Sequence, residues 1–171
     1  KMERLLPPPF TLFKGMVERI RREIEHVAAG HPGRIIAKMN SLVEPELIRN
    51  LYRASQAGVE IDLIVRGMCS LRPGIAGVSD RIRVRSVVGR FLEHHRVFHF
   101  ENAGEPEVWI SSADWMERNL YRRVEIATPI LDAKLRQRLI THLQAYLADT
   151  AQSWHLQPDG GYHRADHVQD V

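Results

Sequence analysis

The chain has 171 residues, with 24 Lys+Arg against 21 Asp+Glu, 44% hydrophobic and 26% charged residues. This length and mix suit one self-contained domain and exclude disorder, collagen and coiled coil, and no apolar run nears the ~18 residues of a membrane span. The single Cys69 excludes an internal disulfide and a cysteine-rich zinc site, and a formal net charge of +3 is no histone-like field.

Residues 1–9 end in Pro7-Pro8-Pro9 and read as an extended entry segment. Thr11 then opens a helix with Leu12, Phe13, Met16, Val17, Ile20, Ile24 and Val27 on one face, stopped by Gly30 and Pro32-Gly33. Its other face, with Arg19, Arg21, Arg22, Glu23 and Glu25, reads as solvated surface. Ile35 to Ala37 reads as a buried strand, Pro45 to Ala57 as a helix, and Val59 to Val65 as a second strand. That order is a βαβ unit and implies parallel pairing. Ile82 to Val88 is expected as a third strand after a Gly/Pro-rich loop. Arg96 to Phe100 and Val108 to Ser111 flank a short spacer and predict an antiparallel hairpin. Arg123 to Thr128 reads as a sixth strand, and Asp132 caps a last helix carrying Leu135, Leu139, Ile140, Leu143 and Leu147. The polar residues 156–171 predict an irregular tail. The expected fold is an α/β domain over residues 10–155, a mixed sheet flanked by helices.

Ligands of open α/β sheets bind beyond the carboxyl ends of the parallel strands. The first strand runs into Lys38-Met39-Asn40-Ser41, and the second into Arg66-Gly67, an arginine with little side chain behind it. Arginine, which far outnumbers lysine here, suits a bidentate grip on phosphate. The hairpin sets His94 and Arg96 opposite Ser111 and Ser112, with Asp114, Asn119 and Glu125 close behind. An imidazole, a guanidinium and two hydroxyls at one hairpin end fit phosphoryl chemistry. His163 and His167, four residues apart, have no third metal ligand nearby, and Cys69 reads as a small buried hydrophobe rather than a nucleophile.

The spacing resembles the phospholipase D motif, His-x-Lys, Asp, then Gly-Ser-x-Asn. Here it reads His94-x-Arg96, Glu101 and Ser111-Ser112-Ala113-Asp114, with Lys replaced by Arg, Asp by Glu, Gly by Ser and Asn by Asp, and the last block one residue late. A more specific likeness lies in Lys38-Met39-Asn40-Ser41-Leu42-Val43, Arg66-Gly67-Met68-Cys69-Ser70-Leu71, Leu92-Glu93-His94-His95-Arg96-Val97 and Ser111-Ser112-Ala113-Asp114-Trp115-Met116. With Arg122-Arg123-Val124-Glu125, these segments resemble the last domain of the bacterial polyphosphate kinases, over about Phe10 to Arg164.

The resemblance implies a phospholipase D-like fold and reversible transfer of the ATP γ-phosphate to polyphosphate, with Mg²⁺. Arg66 matches the family's nucleotide-phosphate arginine and His94 its second active-site histidine. The histidine that is phosphorylated, the adenine contacts and the residues associated with Mg²⁺ belong to preceding domains. The chain is therefore expected to supply half a site, with Arg96 and Lys38 lining an anionic tunnel and Ser111 and Ser112 as donors. Alone it is expected to make no polyphosphate. ATP or ADP, polyphosphate, upstream domains of the same polypeptide and further copies of the full enzyme are the implied partners, with no specific nucleic acid. The start at Lys1, without a basic-then-apolar leader, reads as a piece of a longer cytoplasmic protein, peripheral to the inner membrane in its full form. Two rival readings are a phospholipase D-type phosphodiesterase or nuclease, built by pairing two copies of the His94 motif, and a non-enzymatic polyanion-binding module.

Overall fold

The structure, a computed structural model, describes residues 11–165. Its elements run α1 (Thr11–Ala28), β1 (Arg34–Met39), α2 (Pro45–Ala57), β2 (Glu60–Val65), β3 (Ile82–Val87), β4 (Arg96–Phe100), β5 (Glu107–Ser111), α3 (Glu117–Arg122), β6 (Ala127–Pro129), α4 (Ala133–Ala148), β7 (Ser153–Leu156) and β8 (Tyr162–Arg164). One eight-stranded sheet has the order β6-β5-β4-β1-β2-β3-β7-β8. β1, β2 and β3 pair in parallel and the remaining pairs are antiparallel, so the sheet is mixed.

Local chemistry accounts for the element ends. Pro45 opens α2, the Glu44 carboxylate accepts the Leu47 N–H at 2.6 Å, and Gly58 closes the helix at φ 106°. Asp132 caps α4 by accepting the Leu135 N–H at 2.9 Å. Strand alternation then divides the core. Ile35, Ala37 and Met39 of β1 join α1 and α2 in the larger cluster, with Leu47, Leu51, Phe98 and Trp115. Ile36 faces the other side and packs with Ile64, Val97, Val108, Ile140 and Leu143 under α4. Each fully buried Leu or Ile contributes roughly 1.5–3 kcal/mol, so both layers hold the sheet from its two faces.

Three expectations are corrected. The tail is not irregular over its described part: β7 pairs with β3, and β8 pairs with β7 through Trp154↔Arg164 and Leu156↔Tyr162. The sixth strand shrinks to Ala127–Pro129, because Val124 is 99% exposed and has no layer to pack on. The six-residue α3 precedes it. On α1, Glu23 is buried rather than solvated: its carboxylate accepts the N–H groups of Arg34 and Asn102, at 3.2 and 2.8 Å, while Arg19 and Arg22 pair with Glu107. The expected entry segment and His167 lie outside the described residues.

Candidate functional site

Since β4 runs antiparallel to β1 with Lys38 opposite Val97, the exits of β1, β2 and β5 and the start of β4 meet at one edge of the sheet. Main-chain bonds stitch the three following loops together. Leu42 donates to Met68 O at 2.8 Å and accepts from Ser70 N–H at 2.9 Å, while Val43 and Glu44 donate to Trp115 O at 3.0 and 2.9 Å. Trp115 is itself buried against Phe98, ring centroids 5.1 Å apart. Gly67 donates to Asn40 O at 2.7 Å, and a Cβ there would come within 2.9 Å of that same oxygen. The residue after Arg66 is glycine because backbone meets backbone.

Within this seam Arg66 and His94 share one intermediary. The Arg66 Nε–H donates to Asn40 Oδ1 at 3.1 Å, and Asn40 Nδ2 donates to His94 O at 3.4 Å and Asp114 Oδ1 at 3.2 Å. Arg96 grips Asp114 with two bonds, at 3.1 and 3.0 Å, and donates through Nη1 to His94 O at 2.9 Å. Burial opposes the charge on Asp114, but the Arg96 fork and the Asn40 N–H outweigh it and hold the carboxyl below its usual range.

The six residues expected at the site fare differently. Arg96 and Ser111 are direct cross-strand partners, as the hairpin reading requires. Arg96 also spends all three guanidinium nitrogens on Asp114 and His94 O, so it braces the segment that carries His94. Lys38 is only 3% exposed; its ammonium lies 3.8 Å from the Glu93 carboxylate and 5.1 Å from the Tyr146 ring. Burial lowers its pKa, with the Glu93 carboxylate opposing that shift. Tyr146 in turn donates its hydroxyl to Glu93. Both serine hydroxyls have partners within the fold. Ser111 donates to Ile126 O at 3.2 Å and accepts the Ala113 N–H, while Ser112 donates to Glu125 and accepts the Ile126 N–H. Of these six side chains, only the His94 imidazole and the two terminal nitrogens of Arg66 lack a hydrogen-bond partner among the described residues. His94 is exposed and Arg66 half-buried, so a ligand can reach both.

The other candidates stand apart. His99 faces α4, as its odd spacing from His94 implies, and Cys69 is half-buried with its thiol pKa pushed up by burial. A groove of about 560 Å³ opens between β4–β6 and α4, with Arg96, Ser111 and Ser112 beside Ile110, Ile126 and Leu139 in its wall; neither Arg66 nor His94 lines it. For Mg²⁺ the fit is poor: Asp114 is bound to Arg96, Glu125 to Ser112 and Asn119, and Glu93 to Tyr146. Among the described residues no group of three or more His, Cys, Asp or Glu could hold a metal ion.

The chain has a phospholipase D-like fold. It superposes with a TM-score of 0.65 on Nuc, a phospholipase D family member from Salmonella typhimurium, over 90% of this chain and 97% of that one, at 16% identity. The match narrows further at the level of family. Residues 5–170 match the family described as polyphosphate kinase C-terminal domain 2, and the chain belongs to that family. It is similar to the polyphosphate kinase of Neisseria gonorrhoeae, 58% identical over 166 residues, and to that of Pseudomonas aeruginosa, 56% identical over 164. Each alignment covers 96% of this chain but only 24% of the relative, so the chain spans about a quarter of their length. The crystal structure of polyphosphate kinase from Porphyromonas gingivalis matches with a TM-score of 0.94 and 42% identity, over 100% of this chain and 26% of that one.

Proposed function

We propose that the chain supplies one half of the active site of a polyphosphate kinase, which reversibly moves the γ-phosphate of ATP onto a polyphosphate chain. The observation that carries this reading is the single Asn40 side chain between Arg66 and the His94 backbone, with the imidazole and the outer guanidinium nitrogens left uncommitted. Arg66 would take the nucleotide phosphates and offset charge on the transferring group. His94 would hold a phosphoryl oxygen or move the proton at its imidazole. The histidine that carries the phosphoryl group would come from an upstream domain of the same polypeptide, in a cytoplasmic, oligomeric enzyme. Mg²⁺, which the family uses with ATP, finds no ligand set among the described residues. No helix among those residues is long and apolar enough to cross a membrane.

The test uses the full-length protein, measuring polyphosphate made from ATP and ATP made from ADP. His94→Ala should cost on the order of 100-fold or more in both directions, as loss of an acid–base group does. Arg66→Ala should raise KM for the nucleotide, and the 171-residue chain alone should make no polyphosphate. Full activity of His94→Ala, or turnover by the chain alone, would overturn the reading. Phosphodiester cleavage by the chain, lost in His94→Ala, would favour a phosphodiesterase instead.

A further inference from the structure

We infer that Asn40 is a positioning residue that aims Arg66 at the nucleotide phosphates; this rests on the phosphate-binding role proposed for Arg66. Asn40 is 6% exposed, and every polar group it owns is engaged. Its main-chain N–H donates to Asp114 Oδ1 at 2.7 Å, and its main-chain oxygen accepts the Gly67 N–H at 2.7 Å. The neighbours of its side chain leave no ambiguity about which way the amide points. Asp114 Oδ1 and His94 O can only accept, so the NH₂ group faces them; Arg66 Nε–H can only donate, so the amide oxygen faces it.

No other short side chain meets that demand. Aspartate keeps the acceptor for Arg66, but it loses both donors and sets a carboxylate against Asp114, across a contact that is now 3.2 Å. Alanine and leucine offer neither group. The bond also acts on a particular end of Arg66. A guanidinium held at Nε keeps its plane fixed and presents its two terminal nitrogens as a fork, the geometry that a phosphate accepts in two parallel bonds. Without the tether, a side chain with four rotatable bonds would pay for that orientation on each binding event. Asn40 itself need not touch substrate.

A double-mutant cycle in the full-length enzyme separates positioning from bulk stability. Asn40→Ala should raise KM for ATP about tenfold, the scale of one hydrogen bond to a charged group. In an Arg66→Ala background the same substitution should change KM less than twofold, since the group it aims is gone. Asn40→Asp, which preserves the shape should Asn40→Ala fold poorly, should also raise KM by neutralising the Arg66 charge, with the same loss of effect in the Arg66→Ala background. Thermal unfolding of each variant reads stability separately. Unchanged KM in both Asn40 variants, or their full effect persisting without Arg66, overturns the inference alone. If Arg66→Ala leaves KM unchanged, the role proposed for Arg66 falls with it.

Discussion

His99 gives the sharpest test of how the sheet and α4 fit together. The residue sits in β4 on the α4 face, 3% exposed, and its Nδ1 has no hydrogen-bond partner. Nε2 is 3.8 Å from Glu101 Oε2, too long for a hydrogen bond. Burial first, and then the nearby Arg34 charge, lower its pKa from 6.5 to about 4. The folded protein therefore holds His99 neutral at pH values where the unfolded chain already binds a proton. Stability from this residue is complete above pH 7, declines as pH falls through 6.5, and is fully lost below about 4. At 1.36 kcal/mol per unit, that gap amounts to roughly 3 kcal/mol. Urea unfolding at pH 7, 5.5 and 4 should show the parent losing about 3 kcal/mol more than His99→Phe, whose ring fills a similar space and cannot titrate. Equal losses in parent and variant would refute the argument and mean that His99 is solvated or paired.

Two further predictions concern the seam at the site. Asp114→Ala leaves the Arg96 guanidinium, 11% exposed, without its carboxylate and should cost about 3 kcal/mol in a denaturant melt, whereas Asp114→Asn, which keeps an acceptor for Asn40, should cost less. Gly67→Ala forces a methyl group to 2.9 Å from the Asn40 carbonyl oxygen and should cost about 1–3 kcal/mol, read as a lowered thermal midpoint.

Where the sequence spoke clearly, it did so through period and punctuation. The three-and-four spacing of α1, the Pro45-to-Gly58 frame of α2 and the short spacer between β4 and β5 are local signals, and each element lies where those signals put it. The β7–β8 hairpin carries no such signal. Its strands are four and three residues long and partly polar, and the hairpin is held through the pairing of β7 to β3, a partner distant in sequence. Glu23 was hidden for a related reason: its burial depends on two N–H groups from Arg34 and Asn102, which helical periodicity cannot foresee. At the site, Arg66 and His94 were legible as residue types at strand ends. The engagement of Ser111, Ser112 and Arg96 was not, because their partners come from the loops around Asp114 and Glu125. Asn40 offered one clue, an amide directly after a buried strand, but the three groups that fix it arrive from positions 66, 94 and 114.

The stitching around Leu42 has a consequence for how such a chain can vary. Because Leu42, Val43, Glu44 and Ser70 are joined through peptide groups, the hydrogen bonds they make do not depend on which side chains they carry. Chain length cannot change so freely. Adding or removing one residue in 40–44, 67–70 or 113–115 would throw several main-chain bonds out of step together and carry Arg66 away from His94. A tolerated insertion belongs instead in the turn between β7 and β8, where Gly160 has open space around it. The site is thus more sensitive to a slip of count than to most changes of letter.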